Sequence, residues 1–164
     1  MKHTLQEWAN LGEIVGNVAI ILSLVFVGLQ ISENTKEMRS VTAHNATVAL
    51  QTWYVDIGTT EQAAKVFRQG MNASLSLSKD EAIQFIMSIH SVMLAYQSNY
   101  FLGVEGTLDS DMNIAMSSAL GDAVPTPGFR WYWEQRGRHF TGEFRLFVDQ
   151  IMAEHPEGGA VMYK

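Results

Sequence analysis

The histidines are the residues whose chemistry most readily serves catalysis or metal binding. The chain has five: His3, His44, His90, His139 and His155. They form no His-x-x-x-His or His-Glu-x-x-His pattern of the kind found in metalloproteases. His90 and Gln97 lie at the margin of the apolar stripe of a predicted helix, where they could contact a ligand or help to hold a metal. A hydrogen-bonded core histidine is the commoner case, and we predict no metal site.

A short acidic run resembles the beginning of a calcium-binding loop. Asp109, Asp111 and Asn113 have the spacing of the first ligands in such a loop. The loop also needs glycine at its sixth position and glutamate at its twelfth, where this chain has Ile114 and Leu120. A helix start explains the acids better, because the positive end of the helix dipole stabilises negative charge.

Aromatic rings alternate with arginines between residues 129 and 140. Such a segment can stack nucleobases, lie at a membrane surface or bind an anionic group, but packing within the domain is the favoured interpretation. The net charge of −6 argues against nucleic acid. Because Trp131 and Trp133 cannot face the same side of one helix, we expect one to pack inward. The candidate ligand or partner surface comprises His90, Gln97, Tyr100, Trp131, Trp133 and Arg136.

Other catalytic patterns are missing from the sequence. The absence of cysteine excludes disulfides, thiolate nucleophiles and zinc–thiolate sites. There is also no glycine-rich phosphate loop and no nucleophile elbow. We predict no catalytic residues and no cofactor, and the sequence favours a non-enzymatic protein without excluding an enzyme.

Helices are expected to position these residues, because strand patterns are nearly absent. A Ser78–Glu81 capping box predicts the start of a long helix that runs to about Leu102. The other helices predicted after residue 60 span 61–71, 109–120 with Gly121 as the stop, 127–136 after Thr126, and 142–154 after Thr141. The predicted fold class is all-α, with a single N-terminal transmembrane helix continuing into a small helical bundle domain.

The transmembrane prediction depends on the uncharged apolar run from Ile14 to Leu29. A helix over this run is just long enough for a hydrocarbon core of about 30 Å. The acidic start and the lack of a small-residue cleavage site disfavour a signal peptide, which leaves a buried or interfacial helix as the alternative. The predicted organisation is a tail at 1–12, the membrane helix at 13–32, the helical domain at 33–155 and a second tail at 156–164.

The predicted membrane helix has two different faces. One arc is purely apolar, whereas another carries small and polar residues that permit close helix packing and seek polar partners. This predicted helix-packing or oligomer face comprises Gly12, Gly16, Asn17, Ser23, Gln30 and Asn34. It predicts a protein neighbour in the bilayer, either another copy or a different subunit.

Three valines further along the predicted helix, Val41, Val48 and Val55, recur every seven residues. This spacing fits a seam between two helices, but three valines are too few to indicate a coiled coil, and ordinary packing within the domain is the favoured interpretation.

The charges around the run bear on its orientation. Lys36 and Arg39 follow it, whereas Glu7 and Glu13 precede or border it. Since positive charge is retained on the cytoplasmic side, we expect the helical domain in the cytoplasm.

The stretch LGEIVGNVAIILSLVFVGLQISENTKEMR, residues 11–39, resembles the start of a widespread group of short bacterial proteins. Members have one N-terminal membrane helix that ends in Gln-Ile-x-x-Asn-Thr-x-x-x-Arg. Residues 106–109, 128–136 and 147–149 are similar to that group as well. The group has no established activity, so the resemblance implies the topology and a bacterial inner membrane but transfers no site residue.

Together these features predict a membrane-anchored, non-enzymatic scaffold or accessory subunit. It would self-associate or pack in a larger bacterial membrane complex, with membrane lipid, further copies or other membrane subunits as partners and no nucleic acid. The alternative is a membrane-tethered sensor or ligand-binding module with a pocket in the helical domain.

Overall fold

The computed structural model describes residues 4–73 and 76–158, and no strand occurs in these ranges. Their helices are α1 (Leu5–Gly58), α2 (Glu61–Ala73), α3 (Lys79–Val104), α4 (Ser110–Ala123), α5 (Pro127–Arg136) and α6 (Gly142–Glu154), with a 3₁₀ turn at Gly137–His139. The predicted all-α class is confirmed, as are the five helices expected after the first.

The chain divides into two compact units between Ser40 and Val41, and α1 contributes residues to both. This helix starts at Leu5, within the predicted tail at 1–12. The Thr4 amide donates a hydrogen bond of 2.8 Å to Glu7 Oε2, which satisfies one of the free amides at the helix start. The helix then continues without interruption to Gly58, because no proline or glycine occurs from Leu29 to Ile57.

The first unit contains the apolar run. By length and composition α1 is able to cross a membrane, and none of its most apolar window is buried in the structure. The side chains that a core helix would cover, such as Val25 and Phe26, are exposed. The run is therefore left exposed within the first unit.

Local hydrogen bonds fix two of the helix starts in the second unit. At α3 the Glu81 amide donates to Ser78 Oγ, and the Ser78 amide donates to Glu81 Oε2 at 2.9 Å, so the predicted capping box is confirmed. At α5 the Phe129 amide donates to Thr126 Oγ1 at 3.2 Å, and Pro127 occupies the first helical position. Thr141 precedes α6 but makes no side-chain capping bond.

The predicted end of α4 at Gly121 is wrong, because the helix continues to Ala123. Gly121 is buried inside the helix, and a Cβ atom built there would lie 3.2 Å from the His155 ring. The glycine therefore makes room for a packed ring instead of ending a helix.

The core of the second unit lies among α2, α3, α4, α5 and α6. Its fully buried large side chains include Phe85 of α3, Phe129 and Tyr132 of α5 and Phe144 of α6. A smaller cluster joins Ala46 of α1 to Leu108 and Met116. These contacts hold the candidate residues of α3 and α5 in place.

Candidate functional site

The predicted packing face of α1 is exposed in the first unit. All six of its residues are accessible, namely Gly12, Gly16, Asn17, Ser23, Gln30 and Asn34. A Cβ atom built at Gly12 or Gly16 would meet nothing within 4 Å, so a second backbone can approach there. Ser23 Oγ donates to the Ala19 carbonyl oxygen at 2.8 Å, which satisfies its hydroxyl inside the helix.

His90 of α3 pairs with Tyr132 of α5. The distance between His90 Nδ1 and the Tyr132 hydroxyl is 2.9 Å. The His90 ring lies 5.1 Å from the Phe140 ring and 5.9 Å from the His139 ring, measured between centroids. Burial, followed by the nearby His139 and Arg136, lowers the pKa of His90.

Burial also raises the pKa of the Tyr132 hydroxyl, so this group stays protonated and can donate. A neutral His90 then accepts at Nδ1 and carries its proton on Nε2. The pair acts as a hydrogen bond inside the domain, which is the common role of a core histidine.

Gln97 and Tyr100 are engaged in packing α3 against the start of α6. Gln97 Oε1 accepts a hydrogen bond of 2.9 Å from the Thr141 amide. That bond satisfies the Thr141 amide at the start of α6, where the Thr141 side chain makes no capping hydrogen bond. The Tyr100 ring contacts Phe144 and Phe147, with centroids 5.7 and 4.9 Å apart.

The two tryptophans of α5 differ as the sequence predicts. Trp133 is buried, and its Nε1 donates to Asp149 Oδ1 at 2.7 Å. Trp131 is half-buried and stacks on Phe85, with ring centroids 6.4 Å apart. Arg136 is also half-buried and lies near His90 and Tyr132.

Arg130 belongs to the same segment and supports α6. Its guanidinium donates to the carbonyl oxygens of Met152 at 3.1 Å and His155 at 2.8 Å. A cation at a helix C-terminus complements the negative end of the helix dipole. Of the arginines in this segment, Arg130 therefore has a structural role.

Two cavities in the second unit lie away from the predicted surface. One, of about 40 Å³, is lined by apolar residues that include Trp53, Met71 and Phe129. The other, of about 160 Å³, lies beside Trp53, Asp56 and Ser88. Ligand pockets usually have about 300–1,000 Å³. None of the six predicted surface residues, all within the described ranges, lines either cavity.

Comparisons with protein-family models, with curated proteins and with solved structures found no match. Within residues 4–73 and 76–158, no three His, Asp or Glu side chains come close enough to hold a metal ion. The acidic run at 109–113 is the start of α4, where Asp109 Oδ1 accepts from the Asp111 amide at 2.9 Å.

Sequence reasoning missed two residues beside the predicted surface. Tyr132, the partner of His90, is fully buried, and Asn99 is buried on α3. A signal for Tyr132 was present, because Phe129, Tyr132 and Trp133 follow the i, i+3, i+4 spacing of one helix face. Asn99 has a comparable positional signal, because it follows Val92 and Tyr96 at the i+7 and i+3 spacing of the buried face of α3, but its polar side chain does not mark it as a core residue.

The pairing of His90 predicts how stability depends on pH. Because the pKa of His90 in the folded protein lies below its ordinary value of 6.5, the unfolded chain binds the proton more readily. The contribution of His90 to the stability of the folded protein is therefore complete above pH 6.5. It decreases as the pH falls toward the lower pKa that His90 has in the folded protein. We expect the unfolding free energy to decrease less between pH 7.5 and pH 5.5 in His90→Asn than in the parent protein.

Denaturation of the detergent-solubilised protein, followed by tryptophan fluorescence, measures this difference. Ser91→Asn, a change at the neighbouring exposed residue, should retain the parent pH dependence. Equal pH dependence in the parent protein and His90→Asn would contradict the assignment to His90.

Proposed function

We propose that this protein is a membrane-anchored, non-enzymatic scaffold or accessory subunit in a bacterial inner membrane. The observation that carries the proposal is the exposure of the whole apolar run from Ile14 to Leu29. Leaving one large aliphatic side chain in water forgoes about 1.5–3 kcal/mol of burial free energy. A hydrocarbon environment supplies that burial without any contact from the rest of the chain.

The packing face of α1 supports a protein neighbour for the anchor. Gly12 and Gly16 leave space for a second helix, and Asn17 and Gln30 place amide groups within or beside the apolar segment. Polar groups in a bilayer gain from hydrogen bonds across a helix pair. The neighbour is either another copy of the chain or a different membrane subunit.

The helical domain then lies on the cytoplasmic side, where its surface is available to partner proteins. Lys36 and Arg39 follow the apolar run and favour that orientation. His90, Gln97 and Tyr100 are used to hold α3, α5 and α6 together, which fits a structural module.

Membrane association is tested by alkaline carbonate extraction of bacterial membranes that contain the full chain. We expect the parent protein to remain with the membrane pellet. Leu22→Arg places a charge near the centre of the run and costs about 3 kcal/mol of insertion free energy, so a large share should move to the soluble fraction. Ile83→Arg, an exposed change on α3, serves as the control and should stay in the pellet. Complete release of the parent protein would refute the anchor.

Self-association is tested by sedimentation of the protein in mild detergent, together with identification of any co-purifying protein. Gly16→Leu fills the space on the packing face, whereas Val18→Leu enlarges the apolar arc. We expect only Gly16→Leu to dissociate the assembly. A parent protein that sediments as a monomer and brings no partner would contradict the proposal.

A further inference from the structure

The valine face of α1, consisting of Val41, Val48 and Val55, is exposed on the second unit. Their exposed fractions are 59%, 41% and 51%. The sequence allowed these valines to pack inside the domain, but the residues of α1 that do so are Ala46, Leu50 and Trp53. Among the described residues, the three valines belong to neither hydrophobic cluster, so the seven-residue repeat is not part of the buried core.

The exposed positions around the valine face are those used in a two-stranded coiled coil. When the valines are assigned to heptad position a, the residues at d, e and g are His44, Gln51, Asn45, Thr52, Thr47 and Tyr54, all of them exposed. The domain covers the opposite side of α1, where Ala46 and Trp53 occupy position f. A second helix can thus reach all four interface positions without displacing the domain.

Charge indicates what kind of partner this face accepts. No Asp, Glu, Lys or Arg occurs from Ser40 to Val55, although the chain carries a net charge of −6. In a parallel pair in register, identical residues meet at positions a and d, so an uncharged face brings no like charges together there and is compatible with a contact between copies. Valine at position a is typical of two-stranded parallel coiled coils that have leucine at d, whereas d holds His44 and Gln51 here.

The same part of α1 offers an open apolar surface to the side chains of a facing helix. Its lining, which includes Tyr54, Val55 and Gly58, belongs to α1 and the adjoining Thr59 alone. Gly58 ends the helix and leaves this end of the surface unobstructed, because a Cβ built there would meet nothing within 4 Å.

We propose that a second copy of this chain packs in parallel and in register on the valine face. The inference rests on the proposed membrane anchor, which gives both copies the same direction. The repeat from Val41 to Val55 spans about two heptads, fewer than the roughly three to four that an isolated coiled coil needs. Confinement of two anchored chains in one bilayer raises their effective concentration and compensates for the short repeat.

The chain has no cysteine, so a single introduced thiol reports one contact. We expect Val48→Cys in the full-length protein to form a disulfide-linked dimer when membranes are oxidised with copper–phenanthroline. The control is Ala49→Cys, which is also exposed on α1 but lies about 100° away around the helix. It should cross-link at least about tenfold more slowly, since a disulfide needs Cα atoms within roughly 7 Å.

Gly16→Cys separates failure of this inference from failure of the proposed function. If Gly16→Cys cross-links and Val48→Cys does so no faster than Ala49→Cys, the valine-face dimer is refuted and membrane self-association remains. If neither Gly16→Cys nor Val48→Cys cross-links, the valine-face dimer and self-association through the anchor are both refuted, which leaves a different membrane subunit as the only neighbour that the proposed function allows. Preferential linkage of Val41→Cys chains to Val55→Cys chains would indicate an antiparallel pair and overturn the proposed arrangement.

Discussion

Replacing Gly128 by alanine is expected to destabilise the helical domain by about 3 kcal/mol or more. Gly128 lies in the first turn of α5, where that helix crosses α2. A Cβ atom there would collide with the Gly70 carbonyl oxygen and lie 2.6 Å from Met71 Cα. Because both obstacles are backbone atoms, a rotamer change cannot relieve the overlap, and α2 and α5 must move apart.

Two further glycines provide graded controls for this prediction. Gly142→Ala adds a Cβ with nothing within 4 Å and should change the unfolding free energy by no more than about 0.5 kcal/mol. Gly121→Ala meets the His155 ring at 3.2 Å, which can shift, so its cost should fall between the other two. Denaturation in detergent, followed by tryptophan fluorescence, ranks the three variants. A Gly128→Ala variant as stable as Gly142→Ala would contradict the close crossing of α2 and α5.

The second large effect is expected at Phe144. This side chain is fully buried, and its ring centroid lies 5.6 Å from that of Phe140 and 5.7 Å from that of Tyr100. Phe144→Ala removes these contacts and leaves a cavity, because the surrounding helices can collapse only in part. We expect a loss of about 3–5 kcal/mol in the unfolding free energy, measured by chemical denaturation.

Leu146→Ala is the matched control for Phe144→Ala. Leu146 lies on the same helix, two residues away, and is 72% exposed. Its truncation removes a large apolar side chain without opening a cavity, so stability should change by about 0.5 kcal/mol or less. Similar losses at Phe144 and Leu146 would show that α6 is not held by the buried ring.

The two predictions concern α5 and α6, the helices whose residues bind His90 and Gln97 of the candidate surface. Gln97 binds the Thr141 amide at the start of α6, and Tyr132 of α5 binds His90. Loss of either helix would remove these bonds together with the core beneath them. Both variants should nevertheless remain in the membrane pellet, because the proposed anchor lies in the first unit.

The sequence by itself determined the helices and most of their starts. The Ser78–Glu81 box and the Thr126 cap join residues three positions apart, so the information lies within a single turn. The apolar run from Ile14 to Leu29 is also a local signal, since the length and composition of one segment define it. Such patterns can be recognised without knowing which segment packs against which.

The helix end expected at Gly121 shows where local signals stop being sufficient. Glycine commonly ends a helix, but it also allows a ring from another element to approach a helix closely. At Gly121 the nearby ring belongs to His155, which is distant in sequence. Only the packing of α4 against the end of α6 decides between these two roles.

The contacts that the candidate surface residues make were likewise decided by tertiary structure. The distances that matter join His90 to Tyr132 and Thr141 to Gln97, pairs that are 42 and 44 residues apart. The sequence indicated that Trp131 and Trp133 could not both face inward. Contacts with Asp149 and Phe144 of α6 make Trp133 the buried one. The valines at 41, 48 and 55 were equally ambiguous, because a seven-residue repeat marks a helix face but not its neighbour. Burial of Ala46, Leu50 and Trp53 left that face exposed, since a helix can turn only one side toward its own core.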